Sequence, residues 1–289
     1  FHSFGEEVIN QNKQYFYQGA EFHVADELST YEIINDIFEK LDYTSQITSK
    51  QNNEFTYLKD SIAIISELKK SGLIGEEINR ILDDNNSILE KTEQLLAPIF
   101  ESVKKIDKTV APRLAKEVEN IRSCGQKIVL PTITSLSEII ADSLENAVKQ
   151  AENSGKTTSI TAWKNRWFTK DNNNKFVMKS RLDQIKLRSV VYVYDQYLAR
   201  MQEASLYDFD DMILRVVHAM EVFDELRFNL QEKYQYIMVD EFQDTNMAQM
   251  RILNNLTNNI SQGDTPNIMV VGDDDQAIYS FQGAEISNI

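Results

Sequence analysis

Two short apolar runs, each followed within two residues by carboxylates, constrain this chain more than any other feature. Tyr236-Ile237-Met238-Val239 leads into Asp240-Glu241-Phe242-Gln243-Asp244-Thr245-Asn246, and Ile268-Met269-Val270-Val271 leads into Gly272-Asp273-Asp274-Asp275-Gln276. Each run is predicted to be a buried strand. Between them, Met250, Leu253, Leu256 and Ile260 recur at helical spacing across Met247 to Ile260. Strand, helix and strand in this order form a crossover that is almost always parallel and right-handed. Open sheets of this kind bind ligands at the carboxyl ends of their strands, where Asp240 and Glu241 fall.

Paired carboxylates at that position suit Mg-nucleotide chemistry. One carboxylate holds Mg²⁺, commonly through its water shell, and a second group orients or deprotonates the attacking water. Asp240 is placed for the first role and Glu241 for the second, while the Gln276 amide follows the neighbouring strand within reach of a terminal phosphate. A lone Asp-Glu after four apolar residues is common in cores and turns. Two such strings on successive strands are far harder to obtain by accident.

The string DEFQDTN resembles motif II of superfamily 1 DNA helicases of the UvrD/Rep/PcrA type, and VGDDDQAIYSFQGA resembles their motif III. Leu206 to Ile213, LYDFDDMI, resembles the segment by which the chain re-enters the first motor domain, and Phe1 to Gly5, FHSFG, resembles motif Ib. The resemblance implies an α/β fold, predominantly helical. A partial P-loop NTPase (RecA-like) parallel sheet would be formed by residues 1–20 and 206–289. A large inserted, mainly α-helical 1B-like subdomain would occupy 21–205, with 59–150 a helical elaboration.

It also implies ATP and Mg²⁺ as cofactors, single-stranded and duplex-junction DNA as partners, and movement from 3′ to 5′. By resemblance, Asp240 and Glu241 hold the metal, Glu241 activates water together with Gln276, and Gln243 and Gln276 link the nucleotide to DNA. Phe1, His2 and Ser3 meet the DNA, and Tyr279 and Phe281 lie against its bases. Phe281 stands where many members carry Trp. Gln282 stands where the common pattern has Arg, and an amide supplies neither the charge nor the donor fork of a guanidinium.

The family's phosphate-cradling GxxxxGK[ST] loop precedes motif Ib, and no such string occurs in these residues. Ser154-Gly155-Lys156-Thr157-Thr158 ends like one, but Gln150 replaces its first glycine and Ser143 to Glu152 has helical character. These residues alone are therefore expected to show no ATPase, the second motor domain being expected beyond Ile289. Two alternatives stand beside a simple helicase: a helicase–nuclease subunit, and a module that chiefly binds DNA or protein.

The formal net charge of −15 argues against nucleic acid until its distribution is considered. Residues 154 to 188 carry nine basic residues, Lys164, Arg166, Lys170 and Lys175 among them, against only Asp171 and Asp183. Trp163, Trp167, Phe168 and Phe176 are interleaved, a mixture that suits phosphate contact with either stacking or packing. The 1B position of this segment in the family favours a duplex contact.

The inserted region is expected to be helical, with breaks near Ser71-Gly72 and Gly75 and again at Pro98 or Pro112. A helix is expected over Thr132 to Gln150. A hairpin is expected with Trp163 to Thr169 as one arm, Lys175 to Met178 as the other, and Asp171 to Asn174 as its turn. Asp208, Asp210 and Asp211 are read as helix-capping or tertiary partners rather than a metal cluster. The lone Cys124 fits a reducing compartment, and there is no apolar run long enough to span a bilayer, so the cytoplasm is the expected location.

Overall fold

The computed structural model describes residues 1–16, 22–107, 109–125, 134–258 and 267–273. It is a mostly helical α/β chain with small sheets, divided into two compact units. Unit 1 combines Phe1–Gly75 with Val190–Ile289, and unit 2 is the continuous stretch Glu76–Ser189. These limits differ from the division expected at residues 20/21 and 205/206. Helices α2 (Glu27–Lys40) and α3 (Leu58–Lys70) join unit 1 because α3 packs on α9 (Phe209–Val222) and α2 packs on α3. The stretch 59–150, expected to be a single helical elaboration, is divided between the units, with α3 in unit 1.

Unit 1 opens with α1 (His2–Gln11), which gives way to a tight turn at Lys13–Tyr15. Residues 17–21 lie outside the described set. Strand β1 (His23–Val24) pairs in parallel with β6 (Leu206–Tyr207), and β2 (Lys50–Gln51) pairs antiparallel with β3 (Glu54–Phe55). Val8, Ile213, Val216, Met220, Leu230 and Ile252 meet in one core among α1, α9, α10 (Asp224–Lys233) and α11 (Met247–Thr257).

Strands β7 (Ile237–Val239) and β8 (Ile268–Val270) pair in parallel with Met238 opposite Met269, the crossover expected from sequence. They are not buried on both faces as the apolar runs suggested. Val239 is 6% exposed, but Met238 is 76% and Met269 53%, because the core of α11 covers one face only.

One buried ion cluster ties α3 and α8 (Ser180–Glu203) to α9. Asp208 caps α9 in a reciprocal box with Asp211, the Lys69 ammonium pairs with Asp208 and lies 3.5 Å from Asp211 Oδ1, and the Tyr197 hydroxyl donates to Asp208 Oδ2 over 3.0 Å. Lys69 and Asp211 are almost wholly buried. Asp208 and Asp211 thus serve capping and tertiary pairing. No group of three potential metal ligands occurs among the described residues.

Unit 2 holds α4 (Gly75–Glu101), α5 (Val110–Arg122), α6 (Leu136–Ser154), α7 (Thr158–Trp167) and the hairpin β4 (Phe168–Lys170) with β5 (Phe176–Met178). Neither proline breaks a helix where a break was expected. Pro98 sits inside α4, where the buried neighbours Leu96, Ile99 and Phe100 offset a cost of about 3 kcal/mol. Pro112 lies in the first turn of α5, where its missing N–H would have no partner anyway. The break falls between α4 and α5 instead.

Helix α6 begins at Leu136 behind the Ser135 cap, later than Thr132. Trp163 to Trp167 are helical rather than part of the hairpin, since Ile160, Trp163 and Trp167 share a helix face and all three are buried. The Asp171–Asn174 turn is as expected: Asp171 Oδ1 accepts from the N–H groups of Asn173 and Lys175, and Asn174 is left-handed at φ 63°. No helix among the described residues is long and apolar enough to cross a membrane.

Candidate nucleotide and nucleic-acid site

Asp240 and Glu241 leave β7 at its carboxyl end, and both are exposed. The chain turns sharply here. Glu241 takes a left-handed backbone, φ 50° and ψ 46°, uncommon for a residue with a side chain, and its N–H donates to Asp240 Oδ1 over 3.0 Å. A tight turn, Phe242–Asp244, follows, and Asn246 then caps α11 in a reciprocal box with Gln249. The Phe242 N–H donates to the Val271 carbonyl over 2.9 Å, clamping the turn to the second strand.

Gln243 crosses between the two strand ends. Its Nε2 donates to Glu241 Oε2 over 2.6 Å, and its Oε1 accepts from the Asp273 N–H over 3.0 Å. Each end of the amide meets its complement, so a flipped amide would lose both bonds. Gln243 is 1% exposed, which makes it a fixed strut holding the Glu241 carboxylate.

Sequence reasoning missed why a glycine follows the second strand. A Cβ on Gly272 would lie 2.6 Å from Gln243 Oε1 and 3.3 Å from the Gln243 backbone N, so a side chain there would push the amide out of its present place. Its place directly after an apolar strand was the available signal. If the site serves nucleotide hydrolysis, as the resemblance implies, Gly272→Ala is expected to displace the amide and slow that hydrolysis in the intact protein about 10–100-fold, with little change in nucleotide affinity. Single-turnover kinetics beside equilibrium nucleotide binding measure this, and unchanged turnover would remove Gln243 from the positioning role.

Neither Asp240 nor Glu241 meets a cationic side chain among the described residues, and Asp244 Oδ1 is buried there without a hydrogen-bond partner. Mg²⁺ characteristically binds one or two carboxylates and completes its shell with phosphate oxygens and water. The exposed pair fits that ion better than an all-protein cage. Gln276, Tyr279, Phe281 and Gln282 lie outside the described residues.

At the start of unit 1, Phe1 is half-buried against the core that contains Val239 and Leu253, while His2 and Ser3 are exposed on α1. The His2 ring lies 5.5 Å from that of Phe209, an aromatic 58% exposed that sequence reading passed over inside the DFDD segment. An exposed ring immediately after a helix cap was its only mark.

In unit 2 the expected basic segment divides. Arg181 pairs with Glu90 and Glu93, and Arg188 with Asp83. Lys164 and Lys170 lie over the Phe176 ring, Arg166 lies by Trp167, and Lys175 is exposed; none of these four pairs with a carboxylate among the described residues. The aromatics resolve toward packing: Trp163, Trp167 and Phe168 are core, and Phe176 is partly buried against them. The Ser154–Thr158 string joins two helices through left-handed Gly155, with no strand before it, and so has no phosphate-loop geometry.

With this geometry in hand, comparison with known proteins identifies the family to which the chain belongs. The chain belongs to the UvrD/REP helicase N-terminal domain family, whose model matches residues 1–289. Among curated relatives, it is 39% identical over 104 residues to ATP-dependent DNA helicase UvrD1 of Mycobacterium tuberculosis, covering 35% of this chain and 14% of that protein. It is 35% identical over 130 residues to ATP-dependent DNA helicase Rep of Buchnera aphidicola, covering 45% and 19%. With ATP-dependent DNA helicase PcrA of Staphylococcus epidermidis the identity is 41% over 100 residues, covering 35% and 13%. The aligned stretches thus span less than a fifth of these relatives' own lengths.

Proposed function

We propose that this chain is part of an ATP-dependent DNA helicase, supplying the metal-binding and water-activating carboxylates of its motor and a basic surface that meets duplex DNA. The observation that carries the reading is the exposed Asp240–Glu241 pair at the end of a parallel strand, with Gln243 bridging Glu241 to the backbone of the next strand end. Residues 1–20 and 206–289 belong to the RecA-like motor domain, and the 1B-like subdomain lies within 21–205. Asp240 holds Mg²⁺, Glu241 takes the proton of the attacking water, and Gln243, with Gln276, relays the state of the site toward DNA. Bound Mg-ATP supplies the phosphoryl group whose transfer to water drives movement.

Single-stranded DNA meets unit 1 at His2, Ser3 and Phe209, and by resemblance Tyr279 and Phe281 lie against its bases. Base stacking on such rings is indifferent to sequence, as a stepping motor needs, and contributes about 1–3 kcal/mol per base. The intact protein is expected to hydrolyse ATP faster when single-stranded DNA is added; hydrolysis absent with and without DNA overturns the reading. These residues alone, having no glycine-rich phosphate loop in their sequence, are expected to hydrolyse none.

The surface of α7 and the hairpin provides the duplex contact. Changing Lys164, Arg166, Lys170 and Lys175 together to Gln is expected to reduce the slope of log affinity against log salt by about 3–4 for a partial duplex, since each phosphate contact contributes about 0.9. Fluorescence anisotropy across a salt series reads this directly. An unchanged slope moves the duplex off this face.

A further inference from the structure

We propose that the groove between the α4–α5 connection and the start of α7 is a further docking site for the phosphodiester backbone of duplex DNA, formed by Lys104, Lys105 and Lys156. The proposal rests on the motor reading above and adds a surface that no sequence motif marks. Lys104 and Lys105 come from one loop and Lys156 from another some fifty positions on, yet all three line one open groove of about 1180 Å³ with Thr158, Thr161 and Asn165.

The groove is built, not incidental. The Thr157 hydroxyl donates to the Ile106 carbonyl over 3.2 Å, fastening one rim to the other, and Ile106 and Ile160 anchor both rims in the core. All three lysines are exposed and none forms an ion pair among the described residues. Several other cations of unit 2, by contrast, are paired: Arg122 with Asp142 and Glu145, Lys149 with Glu145, and Arg181 and Arg188 as above. The one acid in the lining, Asp107, is already engaged by the N–H and hydroxyl of Thr109.

Three lysines outnumber the single carboxylate of the lining, Asp107, so in a chain of net charge −15 the groove keeps a local positive excess that selects an anion. An open polar groove suits an extended backbone better than an enclosed small ligand. Ammonium groups and the Thr158 hydroxyl are donors for phosphate oxygens. The groove borders α7, whose following turn carries Lys164 and Arg166, so one duplex strand can run from the groove onto the hairpin face.

The test uses the intact protein and a fluorescent duplex with a single-stranded tail, in a salt series, comparing wild type with Lys104→Gln/Lys105→Gln/Lys156→Gln. The expected result is a slope smaller by about 2–3, an unchanged thermal melt, and protection of the three lysines from acetylation when duplex is added to wild type. A triple variant with the wild-type slope, or lysines acetylated equally with and without duplex, overturns the groove. If the hairpin variant still loses binding in that case, the motor reading stands. Failure of wild type to bind any DNA overturns both.

Discussion

Glu241→Gln in the intact protein is expected to lower ATP hydrolysis by about 10²–10⁴-fold, the usual contribution of a general base, while nucleotide and Mg²⁺ still bind. The substitution is nearly isosteric, and the new carbonyl oxygen can accept from Gln243 Nε2 as the carboxylate does over 2.6 Å. Position is kept and basicity removed. Asp240→Asn should act differently, weakening Mg²⁺ affinity before it affects the rate at saturating metal. Pre-steady-state hydrolysis with a fluorescent nucleotide separates the two. Wild-type turnover by the Glu241→Gln protein would transfer the water-activating role elsewhere.

Lys69→Met is expected to cost about 3–5 kcal/mol of folding stability at pH 8, because removing one member of a buried ion cluster strands the others. Asp211 is wholly buried, and Asp208 keeps only the Tyr197 hydroxyl and the capping bonds. Burial, opposed by Lys69, pushes the Asp211 carboxyl up to about 6, against about 3.9 in an unfolded chain. On Lys69, burial acts to lower the pKa, but Asp211 and Asp208 outweigh it and the net shift is upward.

A carboxyl with a raised folded pKa binds its proton more tightly when folded, so its contribution to stability falls as pH rises from about 4 to about 6. Above that window the anion depends on Lys69. Without the lysine the carboxyl's pKa climbs further, and at pH 5 it escapes the penalty by staying protonated. The cost of Lys69→Met should therefore shrink to about 1–2 kcal/mol at pH 5. Urea unfolding at both pH values checks it, and an equal cost would mean that packing, not charge, is what Lys69 supplies.

Much of the β7–α11–β8 stretch was legible because it is local. The apolar runs, the Met250-Leu253-Leu256 stripe and the carboxylates after each run specify β7, α11 and β8 within a few residues. The cap at Asp208 was legible for the same reason. What escaped required distant segments. Nothing near Gly272 announces that Gln243 must pass beneath it, and Lys69 sits 139 positions before Asp208. Trp163 and Trp167 were open to either reading because their spacing suits a helix while their basic neighbours suit DNA; burial decided for the core. Pro98 misled because a helix-breaking preference of about 3 kcal/mol is smaller than the burial of Leu96, Ile99 and Phe100 together.

The interruption of unit 1 by unit 2 also sets an order of events at the ribosome. At about 5–20 residues per second, roughly 7–28 s separate the emergence of Lys69 from that of Asp208. Unit 2, continuous in sequence, can fold within that interval, while α1 and α3 carry Val8, Ile65 and a cation destined for burial with no α9 yet made. The first part of unit 1 is then the nascent chain's exposed liability, a stretch for a holdase to cover. Its completion waits on the last third of the sequence, the same third that brings in Asp240 and Glu241.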